Sequence, residues 1–219
     1  MFLCFLREVL RVVEEVEGHQ NYNLRLVAGV KPPSSRAGVK TPPLTEVLEE
    51  LIQRAGFSVS IFADSARTRE PADADILLDM DAEIDYHDAS GKHVKLPITS
   101  RDITVLQGDW TRCALDAQGR PVLVVVPERF VRLQRECSDD ELFELWTLAL
   151  KAMELKNGPQ EGDPFVDMRL NAGTCQNCRH LHLKVRVDGD LFAKTWAAHP
   201  AYQILSTHRD ARRASRARG

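Results

Sequence analysis

The most informative segment of the chain reads MRLNAGTCQNCRHLHLKV, residues 168–185. Two stretches of alternating apolar residues flank a loop that contains a glycine and several small or amide side chains. At the end of the segment, His180, His182 and Lys184 are spaced by two residues. On a β-strand this spacing places the three side chains on one face, with leucine and valine on the other. Two imidazoles beside an ammonium group favour a site for an anion, and loop N–H groups can point to the same place.

The residues before this segment predict a sheet and a helix that packs on it. Residues 123–126 form a continuous apolar run, typical of a strand covered on both faces. Ser138-Asp-Asp-Glu141 is a capping box, which predicts a helix to about residue 155. Strands are further predicted over residues 22–28, 103–106, 112–115, 121–126, 165–170 and 181–187, and a short helix over 191–198. The expected fold class is α+β, an antiparallel sheet with helices on one face.

A second strand pattern lies earlier in the chain. Apolar residues alternate with acidic ones over residues 76–86, and with polar or basic ones over 94–98. Gly91 lies in the turn between the two stretches. This pattern predicts an antiparallel hairpin with one exposed face that carries Asp79, Asp81 and Glu83.

The pattern along the chain divides it into four parts. Residues 1–62 are predicted to be an extension that contains an amphipathic helix and strands. Residues 63–75 are polar, include a proline and are predicted to be a linker. Residues 76–200 are the predicted domain. Residues 201–219 are predicted to be a disordered tail, because the last twelve residues contain five arginines, one aspartate and little that can pack.

Composition limits the kind of protein this is. Of 219 residues, 43% are hydrophobic and 28% charged, which is enough apolar content for a packed core. The formal net charge of −3 argues against a surface built for nucleic acid, except through the basic tail. No membrane span is predicted. Five cysteines without the spacing of a disulfide framework favour the cytoplasm or another reducing compartment.

With these motifs in place, the sequence resembles the histidine triad superfamily of nucleotide hydrolases and transferases. Members of that family carry an upstream Asn or Gln, a glycine-containing phosphate loop and then His-apolar-His-apolar-His on a strand. The chain has Gln176 four residues before His180, and Lys184 at the third position of the triad. The run LVVVPERF, residues 123–130, resembles the family's apolar strand that ends in Pro-basic-x-His, with Phe130 at the position of the His.

The resemblance implies an enzyme that binds a nucleotide or a dinucleoside phosphate. His182 would be the nucleophile that attacks the α-phosphorus and forms a nucleotidyl-histidine, and His180 would orient it. The groups implied to hold phosphate oxygens are Asn171, Gly173, Gln176 and Lys184. No metal or cofactor is implied, and relatives often form homodimers.

The residue at Lys184 leaves a second interpretation open. A lysine supplies charge but is a poor copy of an imidazole that protonates a leaving group. The chain is therefore alternatively a nucleotide-binding module that has lost turnover.

A zinc site is a third interpretation of the same segment. Cys175, Cys178, His180 and His182 are four suitable ligands, but all lie within eight residues. Structural zinc sites usually bring two ligand pairs from separate elements, so we expect no stoichiometric zinc.

A short similarity links the two ends of the chain. Residues 24–29, LRLVAG, resemble residues 168–173, MRLNAG, with Val27 at the position of Asn171. The extension is therefore either a degenerate first copy of the fold or similar by chance.

Overall fold

The computed structural model describes residues 2–16, 21–28, 81–87, 90–157, 166–173, 176, 178–186 and 189–217. The predicted linker at 63–75 lies outside these residues, and so does Asp79.

Eight strands and five helices are described. The strands are β1 (Tyr22–Ala28), β2 (Glu83–His87), β3 (His93–Thr99), β4 (Thr104–Gln107), β5 (Thr111–Leu115), β6 (Val122–Pro127), β7 (Val166–Ala172) and β8 (Leu183–Arg186). The helices are α1 (Phe2–Arg11), α2 (Ser100–Ile103), α3 (Asp139–Asn157), α4 (Gly189–Trp196) and α5 (Pro200–Arg216). A π-helical turn, Val12–Val16, continues α1, and a 3-10 turn, Gln134–Glu136, precedes α3.

The main sheet has six antiparallel strands in the order β1-β7-β8-β6-β5-β4. This confirms the predicted α+β class. Because β1 comes from the predicted extension, the sheet reaches beyond the predicted domain of residues 76–200. Strand β1 pairs with β7 so that Arg25 lies opposite Arg169. On either side of this pair, Leu24 lies opposite Leu170 and Leu26 opposite Met168. The two similar segments are thus neighbours in the sheet. That residues 1–62 are a degenerate copy of the fold stays a prediction.

Helix α3 packs on the sheet against β4, β5, β6 and β8. Its first turn is the predicted capping box: the N–H of Glu141 donates to Oγ of Ser138 (3.1 Å), and the N–H of Ser138 donates to the Glu141 carboxylate (2.7 Å). The helix and the sheet share one core, which includes Leu145 and Trp146 of α3, Leu123 of β6 and Leu183 of β8. As predicted, every residue of β6 is buried.

The predicted hairpin is present as the two-stranded sheet β2–β3. Of the predicted strand 76–86, residues 83–86 belong to β2, residues 81–82 do not, and residues 76–80 lie outside the described residues. Asp81 and Glu83 are exposed, as predicted, while Ile84 and Leu96 are buried.

Two predictions are corrected by the helices. The tail at 201–219 was expected to be disordered, but α5 extends to Arg216. Pro200 begins the helix, and Tyr202 and Leu205 bury its first turns. The predicted strand at 103–106 starts one residue later, because Ile103 ends α2. None of the described helices is long and apolar enough to cross a membrane.

Candidate functional site

The histidine segment lies beside the loop that follows β6. The N–H of Leu181 donates to the carbonyl of Val131 (2.7 Å), which joins the two segments. The Phe130 ring lies on the His180 ring, with centroids 5.3 Å apart and planes tilted by 43°. The guanidinium carbon of Arg132 lies 5.6 Å from the Phe130 centroid. Phe130, where the resembled family has a histidine, is therefore in contact with His180.

The prediction that His180, His182 and Lys184 share one strand face is wrong in part. Strand β8 begins at Leu183, so only Lys184 lies in the strand. The Leu181 N–H is bonded to the loop carbonyl of Val131 instead of a sheet neighbour. Both histidines are buried, with 0% and 2% of their surface exposed.

The ring of His182 has a defined tautomer. Its Nδ1 lies 2.8 Å from the carbonyl oxygen of His180. A carbonyl only accepts hydrogen bonds, so Nδ1 carries the proton and Nε2 carries the lone pair. Burial, and after it the charge of nearby Lys184, lower the pKa of His182 to about 4. The imidazole is therefore neutral at pH 7, the form that a nucleophile requires.

Lys184 contributes a positive charge close to these histidines. It is half-buried, and burial lowers its pKa, as does the charge of Arg120. Directly opposite Lys184 in the sheet lie Arg169 on β7 and Val124 on β6. Arg25 of β1 lies opposite Arg169. Since paired residues lie on one face, three cations from adjacent strands form a row there.

An ion pair that the sequence analysis missed lies near Lys184. Arg120 donates to both carboxylate oxygens of Asp116, at 2.5 and 2.9 Å. Asp116 is buried, and its charge opposes the fall in the pKa of both His182 and Lys184. The sequence identified residues 116–119 only as a turn. The signal that was available is the spacing of Asp116 and Arg120 by four residues across that turn.

The predicted phosphate-binding residues lie in different environments. Asn171, on β7, accepts a hydrogen bond from the amide of Asn23 on β1, a contact that the sequence did not predict. Gly173 has a φ of 59°, a conformation that favours glycine, and its carbonyl accepts from the N–H of Gln176 (3.0 Å). The Gln176 side chain is buried and donates to the carbonyl of Arg132 (3.3 Å).

The zinc interpretation involves one residue, Cys175, that lies outside the described residues. Cys178 is a buried free thiol. Within the part of the chain that the structure describes, no group of three His, Cys, Asp or Glu side chains is placed to hold a metal ion.

The chain is similar to solved structures only, among the known proteins with which it was compared. No protein-family model and no curated protein matches the chain. Two of the solved structures that are similar to it are uridylyltransferases. One is a uridylyltransferase mutant, with a TM-score of 0.44, 15% identity, and coverage of 95% of this chain and 69% of that chain. The other is a uridylyltransferase, with a TM-score of 0.41, 14% identity, and coverage of 95% and 67%. Because identity and TM-score are both low, neither similarity establishes what this chain does.

Proposed function

We propose that this protein is related to the histidine triad superfamily and transfers or hydrolyses a nucleotidyl group through a covalent intermediate on His182. The observation that carries the proposal is the hydrogen bond from His182 Nδ1 to the His180 carbonyl. It leaves the Nε2 lone pair as the nucleophile, and the lowered pKa keeps that lone pair unprotonated at neutral pH.

The reaction has two displacements at phosphorus. In the first, Nε2 of His182 attacks the α-phosphorus, a P–N bond to the histidine forms, and the bond from phosphorus to the leaving-group oxygen or nitrogen breaks. The leaving group takes the electron pair of that bond and a proton from water. In the second, the oxygen of water or of another acceptor attacks phosphorus, the P–N bond breaks, and the acceptor loses its proton.

The surrounding groups would stabilise the charge on the phosphoryl oxygens. Lys184 lies two residues after His182, and its ammonium would neutralise charge on a phosphate bound there. Gly173 opens the loop whose N–H groups would bind phosphate, with Asn171 and Gln176 on either side of it. His180 acts through its carbonyl, which holds the His182 ring. No metal is required in this mechanism.

A nucleotide-binding module without turnover is the second candidate. The observation that favours this second candidate is the burial of His182. A nucleophile must come into contact with the phosphorus atom of its substrate, and burial hinders that contact. The Phe130 ring, which lies on His180, also restricts the access of a substrate to the histidines.

The test is to trap the intermediate. The protein is incubated with nucleoside phosphoramidates and dinucleoside polyphosphates, denatured at alkaline pH and analysed by peptide mass spectrometry. We expect one nucleotidyl group on the peptide that contains His182. His182→Ala should lose the adduct and several orders of magnitude in rate, because the remaining groups only position the substrate.

The matched control is His93→Ala, which removes an exposed histidine from the β2–β3 hairpin and should leave the adduct unchanged. Circular dichroism checks that both variants are folded. An adduct that persists in His182→Ala would contradict the assignment of the nucleophile. Nucleotide binding without adduct or turnover in the wild type would establish the binding module instead.

A further inference from the structure

The peptide group between His180 and Leu181 is held at both of its ends. Its N–H, on Leu181, donates to the carbonyl of Val131 (2.7 Å). Its carbonyl, on His180, accepts from Nδ1 of His182 (2.8 Å). Because a peptide group is planar, the direction of its N–H fixes the direction of its carbonyl. Hydrogen bonds in a chain also strengthen one another. The contact with Val131 therefore sets the orientation of the His182 ring.

The loop that supplies this carbonyl, residues 128–138 between β6 and α3, is here called the site loop. It contacts the histidine segment at two further points. The Phe130 ring lies on the ring of His180. The carbonyl of Arg132 accepts from the buried side chain of Gln176 (3.3 Å). The first half of the site loop thus holds the histidine segment by its backbone and by its side chains.

Hydrogen bonds within the site loop join its two halves. The N–H of Arg132 donates to the Glu136 carboxylate (2.9 Å), and the N–H of Glu136 donates to the carbonyl of Leu133 (3.1 Å). Arg129 donates to the carbonyl of Glu136 and to the carboxylate of Glu141 on α3. Because the two halves are bonded to each other, a displacement of the second half also displaces the first.

Arg7 of α1 binds the second half of the site loop. Its guanidinium group donates to the carbonyls of Gln134 (3.3 Å) and Cys137 (2.6 Å). It also donates to the carboxylate of Asp139, the first residue of α3 (3.0 Å). A guanidinium is a rigid, planar group with five N–H donors, so one side chain fixes three acceptors relative to one another. Hydrogen bonds from a charged donor are also stronger than neutral ones.

A buried carboxylate attaches the same helix to the sheet and to the site loop. Glu14 lies in the π-helical turn that continues α1, and 6% of its side chain is exposed. It accepts from the hydroxyl of Tyr22 on β1 (2.5 Å) and lies 3.5 Å from the guanidinium of Arg135. Arg7 therefore reaches the site loop from a helix that is itself held in place.

We propose that Arg7 is a positioning residue for His182. It acts through the site loop, which holds the peptide group whose carbonyl orients the imidazole. The inference rests on the proposed function, since the orientation of the ring matters for transfer only if His182 is the nucleophile. Its Nε2 lone pair must point at phosphorus, and a small misplacement of reacting atoms lowers the rate strongly.

The first test is the kinetics of Arg7→Gln. Its kcat should fall about tenfold while KM stays within about twofold, because the groups that bind phosphate are unchanged and the nucleophile is misaligned. Arg7→Lys keeps the charge without the planar fork, so it should recover part of the lost kcat. If Arg7→Gln does not fold, Arg7→Lys compared with Arg11→Lys makes the same test.

The second test is nitrogen-15 NMR of the histidine rings, which distinguishes the two tautomers and needs no substrate. In the wild type, His182 should carry its proton on Nδ1. In Arg7→Gln its ring signals should shift, and the other tautomer should become populated, because the His180 carbonyl is no longer held in one direction.

The matched control for both tests is Arg11→Gln. Arg11 lies on the same helix, is exposed and donates to the Glu8 carboxylate (2.6 and 2.9 Å). Its loss changes the net charge equally and should leave kcat and the His182 signals at their wild-type values. Circular dichroism and urea denaturation check the fold and the stability of every variant.

Two outcomes would overturn the role of Arg7. One is that Arg7→Gln lowers stability but keeps the wild-type kcat and His182 signals, since Arg7 would then be structural only. The other is an equal change in both arginine variants. Failure of the proposed function is distinguishable from either. A wild type without turnover would refute the enzyme, while His182 signals that depend on Arg7 and not on Arg11 would still support the positioning contact.

Discussion

The two faces of the main sheet differ sharply over β7 and β8. On one face, Met168 and Leu170 lie opposite Val185 and Leu183, and all four are completely buried. On the other face, Arg169 lies opposite Lys184, and both are half-buried. The alternation of a β-strand lets adjacent residues take part in a core and in a charged surface.

The apolar face and the charged face of these strands contribute differently to the stability of the fold. Burying leucine and valine against α3 stabilises the fold, with each full side chain contributing about 1.5–3 kcal/mol. Placing two cations opposite each other costs free energy instead. The polar face is therefore expected to affect function more than stability.

The largest expected effect on stability comes from the apolar face. Leu183→Ala removes a fully buried side chain from the core and should lower the free energy of unfolding by about 4 kcal/mol. The neighbouring Lys184→Ala should lower it by less than about 1 kcal/mol, since it also relieves repulsion with Arg169. Urea denaturation of both variants measures the difference. Equal losses would mean that the two faces contribute alike to stability.

The sequence predicted the apolar face better than the polar one. The continuous run of β6 and the capping box at Ser138 are local patterns, and both were found where they were expected. The polar face depends on contacts between distant residues. The amide of Asn23 reaches Asn171 from the other end of the chain, and Leu181 bonds to Val131 rather than to a strand. Periodicity alone does not report such partners.

Helix α5 also depends on a contact that local sequence patterns do not report. Its last turns contain arginine and alanine, so composition predicted disorder. The helix forms because its first turns are packed: Leu205 meets Gly119, a contact between residues far apart in sequence. Once the first turns are fixed, adding further helical residues costs little.

The second largest expected effect is a loss of stability of the folded protein at acidic pH. Folding lowers the pKa of His182 from 6.5 to about 4, so the unfolded chain binds a proton between these values and the folded protein does not. The contribution of His182 to the free energy of unfolding is therefore complete above pH 6.5 and is lost as the pH falls towards 4. The loss over this window is about 3 kcal/mol, from 1.36 kcal/mol for each pKa unit.

Urea denaturation of the wild type and of His182→Ala between pH 4 and 7 measures this loss. The variant should have a flatter profile over the window, because its position 182 does not titrate. Leu183→Ala serves as the control: it lowers stability at every pH but keeps the wild-type slope. A slope that is unchanged in His182→Ala would show that the proton is taken up elsewhere.

The smallest effect concerns the ring that lies on His180. Phe130 is 37% exposed, so little apolar area is lost when it becomes leucine, and the main change is the loss of the aromatic contact with His180. Such pairs contribute about 0.5–1.5 kcal/mol beyond area burial. Phe130→Leu should therefore lower the free energy of unfolding by about 1 kcal/mol. It should also shift the His180 ring protons in the NMR spectrum, since they lose a neighbouring ring current.

The matched control for this change is Phe143→Leu on α3, where the phenylalanine is 46% exposed. That substitution removes a ring of similar exposure away from the histidines, and its effect should be within about 0.5 kcal/mol of zero. If both variants lose the same stability and the His180 signals do not move, the Phe130 contact does not hold the histidine. If only Phe130→Leu lowers stability and moves them, the Phe130 ring helps to hold His180, whose carbonyl bonds to His182. The polar face would then depend on a side chain at the very position where the sequence departs from the resembled family.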